Sequence, residues 1–145
     1  MNDLTRTLFA SIKSSNGKEI EMPPPAVKHL DPTFLEYVPG KSMQVSFPLK
    51  KQYNNPFGVT FGGYYGMFFD ASFGPFSGMI AGKPTTSLDM NITFLKPLMP
   101  ADKKVIVEVE VVSQSKSYLL LQAKAYKGER ILVATATSRM LIMDR

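Results

Sequence analysis

The sequence predicts an α+β fold in which an antiparallel sheet wraps around one central apolar helix, preceded by a helical arm. Between Lys51 and Lys83 the only charged side chain is Asp70, and the passage is rich in Phe, Tyr, Met and Gly. One stretch with strand-like alternation precedes this passage and four follow it. A helix that is apolar on every face must be covered by other structure, so the sheet is expected to surround it.

The composition limits what the chain can do. Its 145 residues fit one domain, and the absence of cysteine excludes disulfides, a thiolate nucleophile and a zinc–sulfur site. The net charge of +5 favours an anionic ligand, such as one that bears phosphate, and is equally compatible with an ordinary solvated surface. The basic residues are scattered without a nucleic-acid motif, so a nucleic-acid partner is not expected. No bound metal is expected either, because the chain has no cysteine and a single histidine.

A membrane span is the rival interpretation of the apolar passage. Pro75 and several glycines interrupt it, and no second candidate span accompanies it. Residues 1–6 contain no apolar stretch of signal-peptide length. The sequence therefore predicts a cytoplasmic protein without membrane insertion.

The chain is expected to divide into an N-terminal helical arm and linker, residues 1–36, and a main domain, residues 37–145. With Asn2 as its cap, a short amphipathic helix is expected to lie on the outside of the domain. Its apolar residues at helical spacing are Leu4, Leu8, Phe9 and Ile12.

The rest of the arm contains strong turn signals. A polar stretch with Asn16-Gly17 precedes Pro23-Pro24-Pro25, which predicts an extended segment. Residues 26–34 suggest a second short helix. It holds the only histidine, His29, which has no partner at metal-site or triad spacing and is not expected to be catalytic.

The main domain should begin with a strand over residues 42–50, opened by Pro39-Gly40 and closed by a polar turn over residues 53–56. The central helix is predicted over residues 61–74. Pro75 should end or kink it, with a further turn or irregular segment over residues 76–81.

Four strands are predicted after the helix, over residues 85–95, 105–112, 118–126 and 130–143, with a hairpin loop at residues 127–129. In the first of them strict alternation gives an apolar and a polar face. The apolar face holds Thr86, Leu88, Met90, Ile92 and Phe94. The polar face holds Ser87, Asp89, Asn91 and Thr93.

Asp70 and the glycine pair are the candidate reactive groups. A helix that starts at Gly62-Gly63 offers unpaired N–H groups and a positive dipole end, which suit a developing oxyanion. A buried carboxylate such as Asp70 is costly unless it is paired or used in chemistry, and a carboxylate satisfied at a subunit seam is the alternative. Asp70 lies roughly 12 Å along the helix from Gly62, so cooperation requires a second, antiparallel copy in a two-fold dimer.

These residues carry a family resemblance. Asn55, Gly58, Gly62-Gly63 and Asp70 match the spacing of the active-site motif of hotdog-fold acyl-CoA thioesterases of the phenylacetate-degradation and hydroxybenzoyl-CoA type. The stretch from Ser87 to Pro97 resembles the next strand of that family. The likeness covers residues 38–143. Phe61 is the departure, because it replaces the histidine that precedes the glycine pair in the family.

The resemblance implies a hotdog fold and hydrolysis of acyl-CoA thioesters without a cofactor. Asp70 would be the general base or the nucleophile, and the backbone N–H of Gly62 in the other subunit would hold the oxyanion. Asn55 would position the carbonyl or the water. Ser87 matches a serine that assists in some relatives, although strict alternation turns it away from the helix.

The resemblance also implies a substrate pocket and an oligomer. Substrate contacts are expected from the residues around the helix start, namely Phe57, Phe61, Gly63, Tyr64 and Met67. A homodimer is expected, and some relatives stack two dimers. A hotdog module that binds an acyl thioester or supports assembly without catalysis is the alternative, suggested by Phe61.

Overall fold

The computed structural model describes residues 2–11, 14–15 and 18–143. Three helices and eight strands follow one another along these described residues. The helices are α1 (Asp3–Ser11), α2 (Pro25–Leu30) and α3 (Gly62–Ala81). The strands are β1 (Ser14–Ser15), β2 (Lys18–Glu19), β3 (Thr33–Val38), β4 (Ser42–Pro48), β5 (Thr85–Phe94), β6 (Lys104–Gln114), β7 (Tyr118–Lys127) and β8 (Ile131–Ile142). Single 3₁₀ turns span Lys51–Tyr53 and Pro100–Asp102.

The main sheet has six strands in the order β3-β4-β6-β7-β8-β5, and every neighbouring pair is antiparallel. Helix α3 contacts strands β4 to β8. β5 occupies one edge of the sheet, although it follows α3 directly in sequence. The predicted α+β architecture, with a sheet around a central helix, is confirmed.

The core lies between α3 and one face of the sheet. Alternate residues of the strands point inward, as period-two patterning requires, and they meet aromatic side chains of the helix. Each of these residues is at most 2% exposed: Phe68, Phe69, Phe73 and Phe76 of α3, Met43, Val45 and Phe47 of β4, Val105, Val107 and Val109 of β6, and Leu119 and Leu121 of β7. Burial of these rings explains why α3 is apolar on nearly every face.

Helix α3 does not end at Pro75, so the predicted helix end at residue 74 and the irregular segment over residues 76–81 are wrong, and a kink at Pro75 stays a prediction. The helix continues to Ala81 and stops at Gly82, whose φ of 63° is left-handed and whose N–H donates to the carbonyl of Gly78. Proline removes one helical hydrogen bond. Phe73 and Phe76 are fully buried on either side of it, and this packing holds the helix together.

A strand that the sequence analysis missed, β3, pairs with β4 and forms the other edge of the sheet. The predicted helix over residues 26–34 is correct only for α2. Asp31 takes a left-handed φ of 52° and donates its N–H to the carbonyl of Val27, and Pro32 follows, so the chain turns into β3. Pro39-Gly40 therefore lies in the β3–β4 turn. The expected division between residues 36 and 37 falls inside β3, and a separable arm stays a prediction.

Helix α1 docks onto the exposed edge of β3. The Asn2 Oδ1 accepts from the N–H of Thr5, which confirms the predicted cap, and the Asn2 Nδ2 donates to the carbonyl of Phe34. The Phe34 N–H donates in turn to the Thr5 Oγ1. Thr5 and Leu8 are buried. The helix thus occupies hydrogen-bonding groups of an edge strand that would otherwise invite another chain.

Two further expectations concern the arm. The extended segment at the three prolines reaches only to Pro24, because Pro25 is the first residue of α2, where proline is well tolerated. Ile12 and Asn16-Gly17 lie outside the described residues. Among the helices that the structure describes, none is long and apolar enough to cross a membrane.

Candidate active site

Helix α3 starts at Gly62, after Phe61 in the N-cap position. The first N–H groups of a helix have no carbonyl one turn earlier to accept from them, and both Gly62 and Gly63 are exposed. A side chain at Gly62 would bring its Cβ within 3.4 Å of the Phe94 ring. That distance is an ordinary van der Waals contact, so β5 lies directly beside the helix start.

Asn55 organises the loop that leads to the helix. Its Oδ1 accepts from the N–H groups of Phe57 at 2.9 Å and Val59 at 3.3 Å, and its own N–H donates to the Val59 carbonyl at 2.7 Å. Gly58, at the turn, has a φ of 78°. The side-chain oxygen thus fixes the loop, and contact between Asn55 and a substrate stays a prediction.

Asp70 and Ser87 meet between α3 and β5. The Ser87 Oγ donates to the Asp70 Oδ1 at 2.9 Å, and both residues are exposed in the single chain. The apolar passage had suggested a carboxylate removed from water, whereas Asp70 lies on an uncovered face of the helix. An exposed carboxylate with a hydroxyl beside it can bind and deprotonate a water molecule.

A β-bulge explains why Ser87 faces the helix. The register of β5 against β8 shifts between Ser87 and Asp89, which pair with the adjacent residues Met140 and Arg139. The extra residue, Leu88, reverses the alternation, so the two-faced strand predicted from sequence is wrong before residue 89. Bulges commonly re-aim side chains beside active sites.

Beyond the bulge, β5 alternates as predicted. Ile92 lies 3.5 Å from the position that a Cβ at Gly66 would occupy, so it faces the helix. Asp89 faces the other side and binds Arg139. Hydrogen bonds from the Arg139 backbone N–H and side chain hold the pKa of Asp89 below its ordinary value.

The substrate contacts expected around the helix start divide by exposure. Phe57 is 89% exposed and Phe61 is 53% exposed, so neither lines a closed pocket within one chain. Tyr64 and Met67 are half-buried against the core. A shallow depression of about 320 Å³ lies instead on the β5 side of the helix start, lined by Thr60, Gly62, Tyr65, Phe94, Leu95, Lys96 and Pro97.

A second depression, of about 340 Å³, lies on the face of the sheet away from α3, among residues of β4, β6 and β7. None of the sequence-predicted site residues lines it. A bidentate ion pair from Arg130 to Glu108 crosses this face. This second depression is therefore separate from the candidate active site.

His29 comes closer to the helix start than its sequence position suggested. Its Nε2 lies 3.1 Å from the Tyr64 Oη, and its carbonyl accepts hydrogen bonds from the Tyr53 hydroxyl and from Lys50. Burial raises the pKa of Tyr53 to about 12. The contact joins α2 to the first turn of α3 across 35 residues, a distance at which no sequence spacing could indicate it.

The site does not bring all its predicted residues together. Gly62 and Asp70 lie on one unbroken helix, eight residues apart, so their separation along its axis is about 12 Å. Ser87 joins Asp70, whereas Asn55 lies in the loop before α3 and Phe61 directly precedes Gly62. Within the described residues, no cluster of three His, Asp or Glu side chains could hold a metal ion.

Comparison with known proteins identifies the family. Residues 57–134 match the family model described as the thioesterase superfamily, so the chain belongs to this superfamily. The fold, with its sheet around a long helix, is the hotdog fold of these proteins. The comparison with curated proteins found no match.

Solved structures confirm the fold. AziG of S. sahachiroi superposes with a TM-score of 0.78 at 16% identity, covering 83% of this chain and 97% of the other. A thioesterase from Haemophilus influenzae gives 0.76 at 19% identity, covering 83% and 84%. The PaaI protein of the E. coli phenylacetic acid degradation operon gives 0.76 at 16% identity, covering 83% and 86%.

Proposed function

We propose that this protein hydrolyses acyl-CoA thioesters to the free acid and CoA. The observation that carries the proposal is the hydrogen bond from Ser87 of β5 to Asp70, which lies on the same helix as the exposed Gly62 and Gly63. Membership of the thioesterase superfamily supports thioester hydrolysis in general. The choice of CoA as carrier and the roles of the residues belong to the proposal.

A second copy of the chain completes the proposed site. An antiparallel copy of α3, related by a two-fold axis, would bring the Asp70 of one subunit to the Gly62 of the other. The free edge of β5 supports this pairing, because its outer hydrogen-bonding groups are not used by another strand of the main sheet. Large apolar side chains are also exposed on this side of the chain, which is typical of an interface. They are Phe61, Leu88, Phe94 and Leu95.

The chemistry needs one carboxylate and one oxyanion donor. As a general base, Asp70 takes a proton from water while the water oxygen attacks the thioester carbonyl carbon. The N–H of Gly62 in the partner subunit donates to the resulting oxyanion. When the tetrahedral intermediate collapses, the C–S bond breaks and the departing thiolate receives the proton from Asp70.

A nucleophilic route uses the same groups. The Asp70 carboxylate attacks the carbonyl carbon, the thiolate leaves, and water hydrolyses the mixed anhydride. In either route Ser87 keeps one carboxylate oxygen oriented, and the second oxygen is available for the reaction. Asn55 positions the carbonyl or the water, and the substrate contacts are Gly63, Phe57, Phe61, Tyr64 and Met67.

Phe61 favours a second candidate function. Because an aromatic hydrocarbon replaces the hydrogen-bonding histidine, the chain could bind an acyl thioester without cleaving it, or act in assembly. The backbone N–H of Gly62 does not depend on that side chain, which is why hydrolysis is preferred.

The deciding experiment is thiol release from short, medium, long-chain and aromatic acyl-CoAs by the wild type and Asp70→Asn. Hydrolysis predicts turnover by the wild type and its loss in the variant, with acyl-CoA binding retained. Asp89→Asn is a matched control, because it makes the same substitution at a carboxylate of β5 that binds Arg139 and not Ser87. Wild-type protein that binds acyl-CoA without releasing thiol would replace hydrolysis by the binding function.

A further inference from the structure

The start of α3 has weak local support. Phe61, in the N-cap position, supplies no side-chain hydrogen bond to the first N–H groups of the helix. The next two residues are Gly62 and Gly63, and glycine loses more conformational freedom on folding than any other residue. A donor to an oxyanion must nevertheless be fixed before the reaction begins. Other parts of the fold must therefore hold the helix start in place.

Tyr53 contacts the chain on both sides of the glycine pair. Before the pair, the Tyr53 carbonyl accepts the N–H of Phe61 at 2.9 Å. After the pair, the Tyr53 ring stacks on the ring of Tyr64, with 4.2 Å between the centroids and 27° between the planes. Tyr53 is fully buried, so it is a fixed reference for both contacts. The two glycines thus lie between two points that the same tyrosine holds.

His29 of α2 connects the two tyrosines. Its Nε2 lies 3.1 Å from the Tyr64 Oη, and its carbonyl accepts from the Tyr53 hydroxyl at 2.9 Å. The imidazole ring also meets the Tyr53 ring edge-on, with 5.4 Å between the centroids. A further hydrogen bond, from Lys50 Nζ to the same carbonyl at 2.8 Å, attaches the end of α2. We call His29, Tyr53 and Tyr64 the histidine–tyrosine junction.

We infer that His29 is a positioning residue, which acts through Tyr64 to keep the Gly62 N–H in the orientation that the oxyanion needs. The inference rests on the proposed function, because it assigns an orienting contact to the proposed oxyanion donor. Tyr64 is the third residue of α3, so a shift of its side chain moves the backbone of the two glycines before it. His29 itself takes no part in proton transfer.

The first test compares His29→Phe with His29→Gln in thiol release. Phenylalanine keeps an aromatic ring but lacks the nitrogen that meets Tyr64, whereas glutamine keeps a hydrogen-bonding group. His29 is exposed, so both variants should fold. An interaction made only in the transition state affects kcat and not KM. His29→Phe should therefore lower kcat about tenfold at unchanged KM, and His29→Gln should recover most of the loss.

The second test is a double-mutant cycle with Gly62→Pro. If His29 acts through the Gly62 N–H, His29→Phe should lower kcat by less than about twofold once that N–H is absent. Equal losses of kcat in the two backgrounds would show a general structural role and would overturn the inference. Lys28→Gln is the matched control, because it breaks a contact of α2 with Glu21 and leaves the junction intact. It should leave kcat unchanged.

The third test measures the helix start without turnover, by ¹⁵N relaxation of the Gly62 and Gly63 amides. In His29→Phe their order parameters should fall from about 0.85, typical of rigid backbone, toward about 0.6, typical of flexible backbone. His29→Gln and Lys28→Gln should keep the wild-type values. Unchanged order parameters in His29→Phe would contradict the inference even in an active enzyme. An inactive wild type would refute the proposed hydrolysis, and the relaxation data would still decide whether His29 holds the helix start.

Discussion

Replacement of Gly62 by proline removes one backbone N–H and so tests whether that group stabilises the oxyanion. Proline lacks an N–H and is tolerated at the first position of a helix, which is the position of Gly62 in α3. The variant should therefore fold while losing the proposed donor. Loss of one oxyanion donor typically lowers kcat by about 10² to 10³. Because the N–H of Gly63 is adjacent, we expect about 100-fold, at the lower end of that range.

The matched control is Gly62→Ala. Alanine adds a Cβ at the same place, 3.4 Å from the Phe94 ring, but it keeps the N–H. Phe94 is 54% exposed, so its ring can shift to make room. Thiol release at saturating acyl-CoA then separates the two effects. If the proline and alanine variants have the same kcat, the Gly62 N–H does not stabilise the oxyanion.

Two further predictions concern polar contacts of the site. Ser87→Ala removes the hydroxyl that orients Asp70, so kcat should fall about tenfold with little change in thermal stability, because the pair is exposed. An unchanged kcat in thiol release would contradict this positioning role. Tyr53 has a raised pKa of about 12, and in the unfolded chain it ionises near 10, so folding stability should fall as the pH rises from about 10 to 12. Tyr53→Phe should be less stable at pH 7, through loss of the hydrogen bond to His29, and should show a smaller alkaline decline in urea unfolding. A decline equal to that of the wild type would assign the effect to other groups.

The sequence predicted the fold because its local signals agreed with the tertiary structure. A long apolar passage with one charged residue indicated a covered helix, and period-two alternation placed five strands of the main sheet. β3 was missed because Asp31-Pro32 indicates the end of a helix but does not predict that a strand follows. The docking of β3 to α1 is a tertiary contact. The helix end predicted at Pro75 was wrong because helix propensity does not include the burial of Phe73 and Phe76.

The site was predictable in its residues but not in its geometry. The spacing from Gly62 to Asp70 follows from helix rise and correctly implied that the two are far apart in one chain. The orientation of Ser87 was wrong under strict alternation, because a bulge depends on pairing with β8, which the strand's own residues do not encode. The contact of His29 with Tyr64 depends on the packing of α2 and has no sequence signal.

The central claim is that each active site takes Asp70 from one subunit and Gly62 from the other. The most direct measurement mixes Asp70→Asn and Gly62→Pro subunits after unfolding and refolding them together. In a mixed dimer one site keeps both native residues, so random pairing predicts that about a quarter of wild-type thiol release returns. Activity that stays at the level of the separate variants, in a mixture shown to contain mixed dimers, would contradict the shared site.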